Sequence, residues 1–234
     1  MVAQESVATR LERVHERIAA AARRAGRRPE DVTLIGASKT VEPDRIAQAI
    51  AGGLRDFGEN YVQEAEAKLA VPALQLADVR WHLIGHLQSN KAKTAVRLFG
   101  IIQSLDSERL GGALARQAGA LGKRPLVLVE VDYTGAPERT GLPPEAVAPV
   151  VDQVARDGAL DLAGLMTVPA LGLSETDTRA VYRRLVTLRD ELARQYPAMS
   201  WQHLSMGMTD DFEIAIEEGA TMVRIGRAIF GERH

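Results

Sequence analysis

Cysteine is absent from the sequence. That single absence removes disulfides, thiol nucleophiles and thiolate metal sites together, and it suits a reducing cytoplasm. An excess of one charge is lacking too: 29 Lys and Arg stand against 31 Asp and Glu, a formal net charge of −2. No global field therefore draws the chain to nucleic acid or to an anionic membrane. No run approaches the ~20 apolar residues that span a bilayer. Residues 1–28 carry charges throughout, with no apolar stretch ahead of a small-residue cleavage site, so no targeting segment and a cytoplasmic location are expected. The signatures GxGxxG, GxxxxGK[ST] and HExxH are missing as well. His82 and His86 lie four apart, but on a strand-to-loop segment, where that spacing does not make a metal site. Ser205 with His203 and Asp210 lacks a GxSxG elbow, and residues so close in sequence rarely reach triad geometry.

What is present is a globular balance, 46% hydrophobic and 26% charged over 234 residues. No linker or composition shift divides it, so residues 1–234 are read as a single domain. Leu11, Val14, Ile18, Ala22 and Ala25 recur at helical spacing, with Gly26 placed as a C-terminal cap. The Arg23-Arg24 and Arg27-Arg28 pairs are expected near that helix's C-terminus, where the dipole favours cations, rather than in a nucleic-acid patch. Short apolar runs then begin near Val32, Leu54, Val79, Gly100, Leu126, Leu160, Ser200 and Met222. Helix-period stretches separate them, among them Ile46–Ile50, Leu110–Leu121 and a stripe of Val181, Leu185, Leu188 and Leu192. Pro43, Ser89, Ser107 and Ser174 stand as helix-start signals. Eight strands alternating with helices, after one extra N-terminal helix, predict an α/β fold that closes into a (β/α)8 TIM barrel. An open doubly wound sheet is the competing arrangement.

In such a barrel the site is built from the loops that follow the strands. Lys39 follows the apolar run Leu34–Ala37 with only Ser38 between, so its amine is expected to emerge at the mouth, partly desolvated, as imine chemistry requires. A solvated lysine merely ending a strand is the plainer alternative. Ser205-Met206-Gly207 and Gly226-Arg227 offer backbone N–H groups in the loops where barrels of this type often hold phosphate. Arg224 sits inside an apolar strand. It either serves a ligand, such as the ring nitrogen of pyridoxal 5′-phosphate (PLP), or pairs with Glu130 or Asp132.

The segments SKT (38–40), FGENYVQE (57–64), WHLIGHLQSNK (81–91), GLMTVP (164–169), HLSMGMTDDFEIAIEEGATMVRIG (203–226) and AIFGER (228–233) resemble the YggS/PROSC family of PLP homeostasis proteins. The resemblance runs from about Val32 to Arg233. It implies a fold like the N-terminal barrel of alanine racemase, with PLP covalently on Lys39 and Arg224 facing the pyridine nitrogen. It also implies that Ser205, Gly226 and Arg227 hold the phosphate, with Met206 in the same loop and Asn60, His86 and Met166 near the cofactor. Many relatives carry Thr or Ser at position 227, and the loop Tyr133–Gly141 departs from the commoner pattern. The implied function is intracellular vitamin B6 homeostasis without established turnover, with PLP-dependent apoenzymes as acceptors and a monomer as the expected state. A PLP-dependent amino-acid racemase is the alternative. Racemisation needs acid–base groups on both faces of the α-carbon. The sequence given ends at His234, eight residues after Gly226, so no second domain supplying the opposing tyrosine is expected. Tyr182 and Tyr196, in the longest helix and at its end, are expected to face away from the site.

Overall fold

The computed structural model describes residues 5–75 and 78–231, so the last two residues of the 228–233 segment lie outside it. Eight parallel strands in chain order close into a barrel. They are β1 (Thr33–Ala37), β2 (Asp56–Glu59), β3 (Arg80–Leu83), β4 (Ile101–Leu105), β5 (Leu126–Val131), β6 (Asp161–Thr167), β7 (His203–Ser205) and β8 (Met222–Ile225). Ile35 of β1 pairs with Asp56 of β2 on one side and with Arg224 of β8 on the other, which seals the ring. Closure leaves no strand edge unpaired, which an open sheet of the same strands would not achieve.

Helices cover the outside: α1 (Val7–Arg24), α2 (Pro43–Ala51), α3 (Val62–Leu69), α4 (Ala92–Leu98), α5 (Glu108–Leu121), α6 (Val147–Asp157), α7 (Glu175–Gln195), α8 (Phe212–Glu217) and the single turn α9 (Arg227–Phe230). Pro43 opens α2, and the hydroxyls of Ser107 and Ser174 accept from the N–H groups of Leu110 and Asp177 at the starts of α5 and α7. Ser89 caps nothing: it begins a separate 3-10 turn, and α4 starts three residues later. The buried stripe of α7 is Thr178, Tyr182, Leu185 and Leu192, one position off the predicted one at Tyr182, because Val181 lies at the stripe's edge.

The extra helix α1 buries Val7, Leu11, Val14 and Ile18 and packs against α8, α9 and α2. Its arginines are bound to neighbours rather than gathered as a patch. Arg24 pairs with Glu217 at 2.7 Å, and Arg27 donates to the carbonyls of Ile216 (3.1 Å) and Ala220 (2.7 Å). Arg23 and Arg24 stand in the last turn of α1, as expected, while the Arg27 side chain reaches over to the C-terminal end of α8. Most of the apolar core lies between barrel and helices. A smaller cluster of Ile35, Leu128, Ala163, Met166 and Met222 fills part of the barrel's interior. The rest of the interior is polar, a departure from the branched aliphatic filling usual for such barrels.

Candidate functional site

A cavity of about 560 Å³ opens at the C-terminal ends of the strands. Lys39, Asn60, His86, Arg224, Gly226 and Arg227 all line it, from loops as far apart in sequence as β1 and β8. Met166, Ser205 and Met206 are fully buried and do not form its wall.

Lys39 is held from both sides. The Ser38 carbonyl accepts from the Lys68 ammonium at 2.6 Å, and the Thr40 N–H donates to Glu64 Oε1 at 2.5 Å. Lys68 also donates to Glu59 Oε1 (2.8 Å) and Glu64 Oε1 (2.7 Å), while Ser38 Oγ donates to Glu59 Oε1 (2.6 Å). Lys68 and Glu59 are buried, so this is an ion cluster behind the lysine turn, not a surface pair. Burial pushes the Glu59 carboxyl above its ordinary range even against the Lys68 charge. Thr40 takes φ +61, a left-handed conformation that a non-glycine residue keeps only where its surroundings impose it.

Arg224 is only 4% exposed. Its guanidinium donates to Ser205 Oγ at 2.6 Å and to the Thr167 carbonyl at 2.8 Å. Among the described residues no carboxylate lies within ion-pair distance of it, so the alternative pairing with Glu130 or Asp132 does not form. Glu130 stands at the cavity wall with Oε1 accepting from Thr140 Oγ1 at 2.9 Å and Oε2 buried without a hydrogen-bond partner. Burial raises its carboxyl above the ordinary value.

The loop after β7 opens later than the sequence suggested. The Met206 N–H bonds the Met222 carbonyl, which continues the strand pairing past Ser205. Ser205 Oγ accepts from Arg224 and donates to Gln103 Oε1, so this hydroxyl faces the barrel interior and not the mouth. Ser205 thus lies just behind the cavity, and the wall in front of it is formed by Met208, Thr209 and Asp210. The chain turns at Gly207, φ +95, where an added Cβ would lie 2.6 Å from Ala215 Cβ and 3.0 Å from Phe212 Cα. The loop is braced by Asp211, which accepts from the Met208 N–H (2.6 Å) and from the Tyr182 hydroxyl (2.7 Å). Tyr182 therefore braces this loop from behind and, as expected, does not line the cavity. Across the mouth the Arg227 side chain pairs with Asp210. In the single-turn helix behind Gly226, the first N–H groups have no partner within the helix.

On the far side His86 Nδ1 meets Asp106 Oδ2 at 2.9 Å. Asn60 and His86 approach because Gly85 separates them: a Cβ there would lie 2.5 Å from the Asn60 carbonyl oxygen and 2.7 Å from its Cα. Sequence reasoning set aside the loop Tyr133–Gly141, yet Glu138, Arg139 and Thr140 reach the cavity wall. Tyr133 itself does not. Its phenol is buried without a partner and pushed up to about 12 by burial, with Arg184 over its ring. Only the alternation along β5, which turns Glu130 inward, pointed to this wall.

A lysine amine, a buried guanidinium and a loop of free N–H groups around one cavity suit an anionic carbonyl compound. The family profile described as "Alanine racemase, N-terminal domain" matches residues 10–234. A pyridoxal phosphate homeostasis protein of Aquifex aeolicus is 43% identical over 224 residues, covering 96% of this chain and 97% of that one. The chain belongs to the pyridoxal phosphate homeostasis protein family. A solved structure of another protein in this size range, PipY of Synechococcus elongatus PCC7942 with PLP bound, is 37% identical with a TM-score of 0.86, covering 97% of this chain and all of that one. An alanine racemase of Clostridium difficile shares the fold at 16% identity and a TM-score of 0.68, and this chain spans only 53% of it. Members of the pyridoxal phosphate homeostasis family thus match this chain end to end, whereas the racemase has as much chain again. Among the described residues no helix is long and apolar enough to cross a membrane, and no cluster of His, Cys, Asp or Glu is placed to hold a metal ion.

Proposed function

We propose that this protein holds PLP covalently on Lys39, as an imine, and serves PLP homeostasis by keeping and releasing the cofactor rather than by turning over amino acids. The observation that carries the reading is the placement of Lys39, Arg224, Gly226 and Arg227 around one cavity. In it the ring nitrogen meets Arg224, and the phosphate lies toward Thr209, Gly226 and Arg227, while Asn60 and His86 flank the opposite side. Met166, Ser205 and Met206 support these groups from behind. PLP supplies an aldehyde for amines and, with its ring nitrogen protonated, an electron sink. Arg224 cannot give up its proton, so it disfavours a second positive charge on the ring nitrogen and weakens that sink. A single-domain monomer is the form this reading takes. PLP-dependent apoenzymes of the cytoplasm are the acceptors this reading implies.

Racemisation would need a second acid opposite Lys39. No tyrosine of the described residues lines the cavity: Tyr182 is bound to Asp211, Tyr133 is buried and Tyr61 faces a separate groove. Borohydride reduction of the PLP-loaded protein followed by peptide mapping tests the assignment, with the label expected on Lys39. A label on another lysine overturns it. Chiral analysis of alanine after long incubation tests the absence of turnover, and conversion above the free-PLP background that requires Lys39 would make the protein a racemase.

A further inference from the structure

The polar groups inside the barrel form one continuous chain. Arg224 Nη1 donates to Ser205 Oγ (2.6 Å), Ser205 Oγ to Gln103 Oε1 (2.6 Å), and Gln103 Nε2 meets His82 Nδ1 (2.9 Å). His82 Nε2 meets Asp56 Oδ1 (2.9 Å), and Arg80 closes the far end on Asp56 Oδ2 (2.7 Å). The chain crosses from β8 to β2 through β7, β4 and β3 and is buried from Arg224 to Asp56, with only Arg80 exposed at its end. Its polarity is fixed by chemistry. A guanidinium only donates, so Ser205 Oγ accepts and passes its own hydrogen to Gln103. Gln103 must then turn its amide N–H toward His82, which leaves His82 neutral with its proton on Nε2, aimed at the Asp56 carboxylate. Burial favours that neutral imidazole, and the hydrogen bonds from His82 and Arg80 keep Asp56 ionised against its own burial. Every donor points from the cation toward the anion, and bonds so aligned polarise one another.

We infer that Gln103, with His82 and Asp56 behind it, is a positioning residue for Arg224, holding the guanidinium in a single orientation beneath the cavity. The inference rests on the reading that Arg224 faces the PLP ring. Without Gln103, Ser205 regains a free hydrogen and rotates, and Arg224 loses the fixed acceptor that sets its tilt.

The test uses the full chain loaded with PLP. Gln103→Leu is expected to shift the visible absorption band and its pH midpoint and to weaken PLP binding by up to about tenfold, as the charge-assisted bond from Arg224 to Ser205 loses its alignment. The melting temperature without PLP is expected to fall as well, since leucine leaves His82 Nδ1 and the Ser205 hydroxyl buried without their partner, so the band and its pH midpoint are the readouts that separate positioning from stability. Arg224→Gln is expected to produce the same spectral shift, and adding Gln103→Leu to it is expected to change nothing further. If Arg224→Gln leaves band and affinity unchanged, the underlying reading of Arg224 is wrong. If Arg224→Gln shifts them and Gln103→Leu does not, or if the two effects add, Gln103 does not act through Arg224. Should Gln103→Leu fail to fold, Asp56→Asn carries the same comparison, because it keeps the shape and removes the anion; an unchanged band there refutes the inference.

Discussion

Replacing Lys68 by methionine removes one ammonium and leaves its aliphatic stem. In the folded protein that ammonium bonds the Ser38 carbonyl, Glu59 and Glu64, all within 2.8 Å. Glu59 has no exposed surface, and its Oε2 already lacks a partner, so the variant leaves a buried carboxylate with only the Ser38 hydroxyl. Breaking a buried pair from one side costs about 3–5 kcal/mol. For a chain of this size that is a fall of about 6–20 °C in Tm. The deficit depends on pH with a definite sign. The carboxyl of Glu59 is already raised in the folded state, so the stability tied to its protonated form is present at low pH and lost as pH rises through that raised value. Removing Lys68 raises it further, so the loss is largest at pH 8 and shrinks toward pH 5. The same change loosens both residues that flank Lys39, so the visible band after mixing with PLP should also form more slowly. Thermal unfolding by circular dichroism at pH 5, 6.5 and 8, with stopped-flow absorbance, measures both effects. A Tm within about 1 °C of the parent at pH 8, together with an unchanged rate of band formation, would refute the claim that this cluster holds the lysine turn.

Lys39→Ala should abolish the visible band of the loaded protein while some PLP remains bound through the loops after β7 and β8; an undiminished band would remove Lys39 from the site. Gly85→Ala forces a Cβ into the Asn60 backbone and should cost about 1–3 kcal/mol and lower PLP affinity; unchanged Tm and titration curves would show that the loops after β2 and β3 part without strain. Below pH 6.5 the protein should lose stability, because burial holds His15, His82 and His203 below their ordinary value and unfolding lets them take up protons. Fully buried His82 alone contributes a slope of up to about 1.4 kcal/mol per pH unit between 6.5 and its folded value, and a Tm that is flat from pH 7.5 to 5.5 would contradict this.

The order of elements is legible in the sequence because each strand is an apolar run with its own helix behind it, and local signals such as Pro43, Ser107 and Ser174 mark the starts. Lys39, Arg224 and Gly226 stand out for a related reason: each is a residue type at odds with its strand context. The bonds of the Ser205 hydroxyl to Arg224 and Gln103 were not legible, because both partners lie on other strands, which no local pattern encodes. Gln103 and His82 were illegible as a pair for the same reason. Alternation says that a side chain points inward, but their partners lie across the barrel, 21 and 102 residues away for Gln103. Tyr182 reads as one more apolar position in a helix until Asp211, 29 residues on, gives its hydroxyl a role.

The docking of α1 onto α8 and α9 has a consequence for biosynthesis. The bonds that secure it, Arg17 to Glu213, Arg24 to Glu217 and Arg27 to Ile216 and Ala220, join residues 189 to 196 positions apart. At about 5–20 residues per second, that stretch takes the ribosome roughly 10–40 s to deliver. Through that interval the stripe of Val7, Leu11, Val14 and Ile18 has only α2 to pack on, and β1 waits for β8. The barrel therefore closes, and α1 reaches its full packing, only once β8 and α9 have emerged.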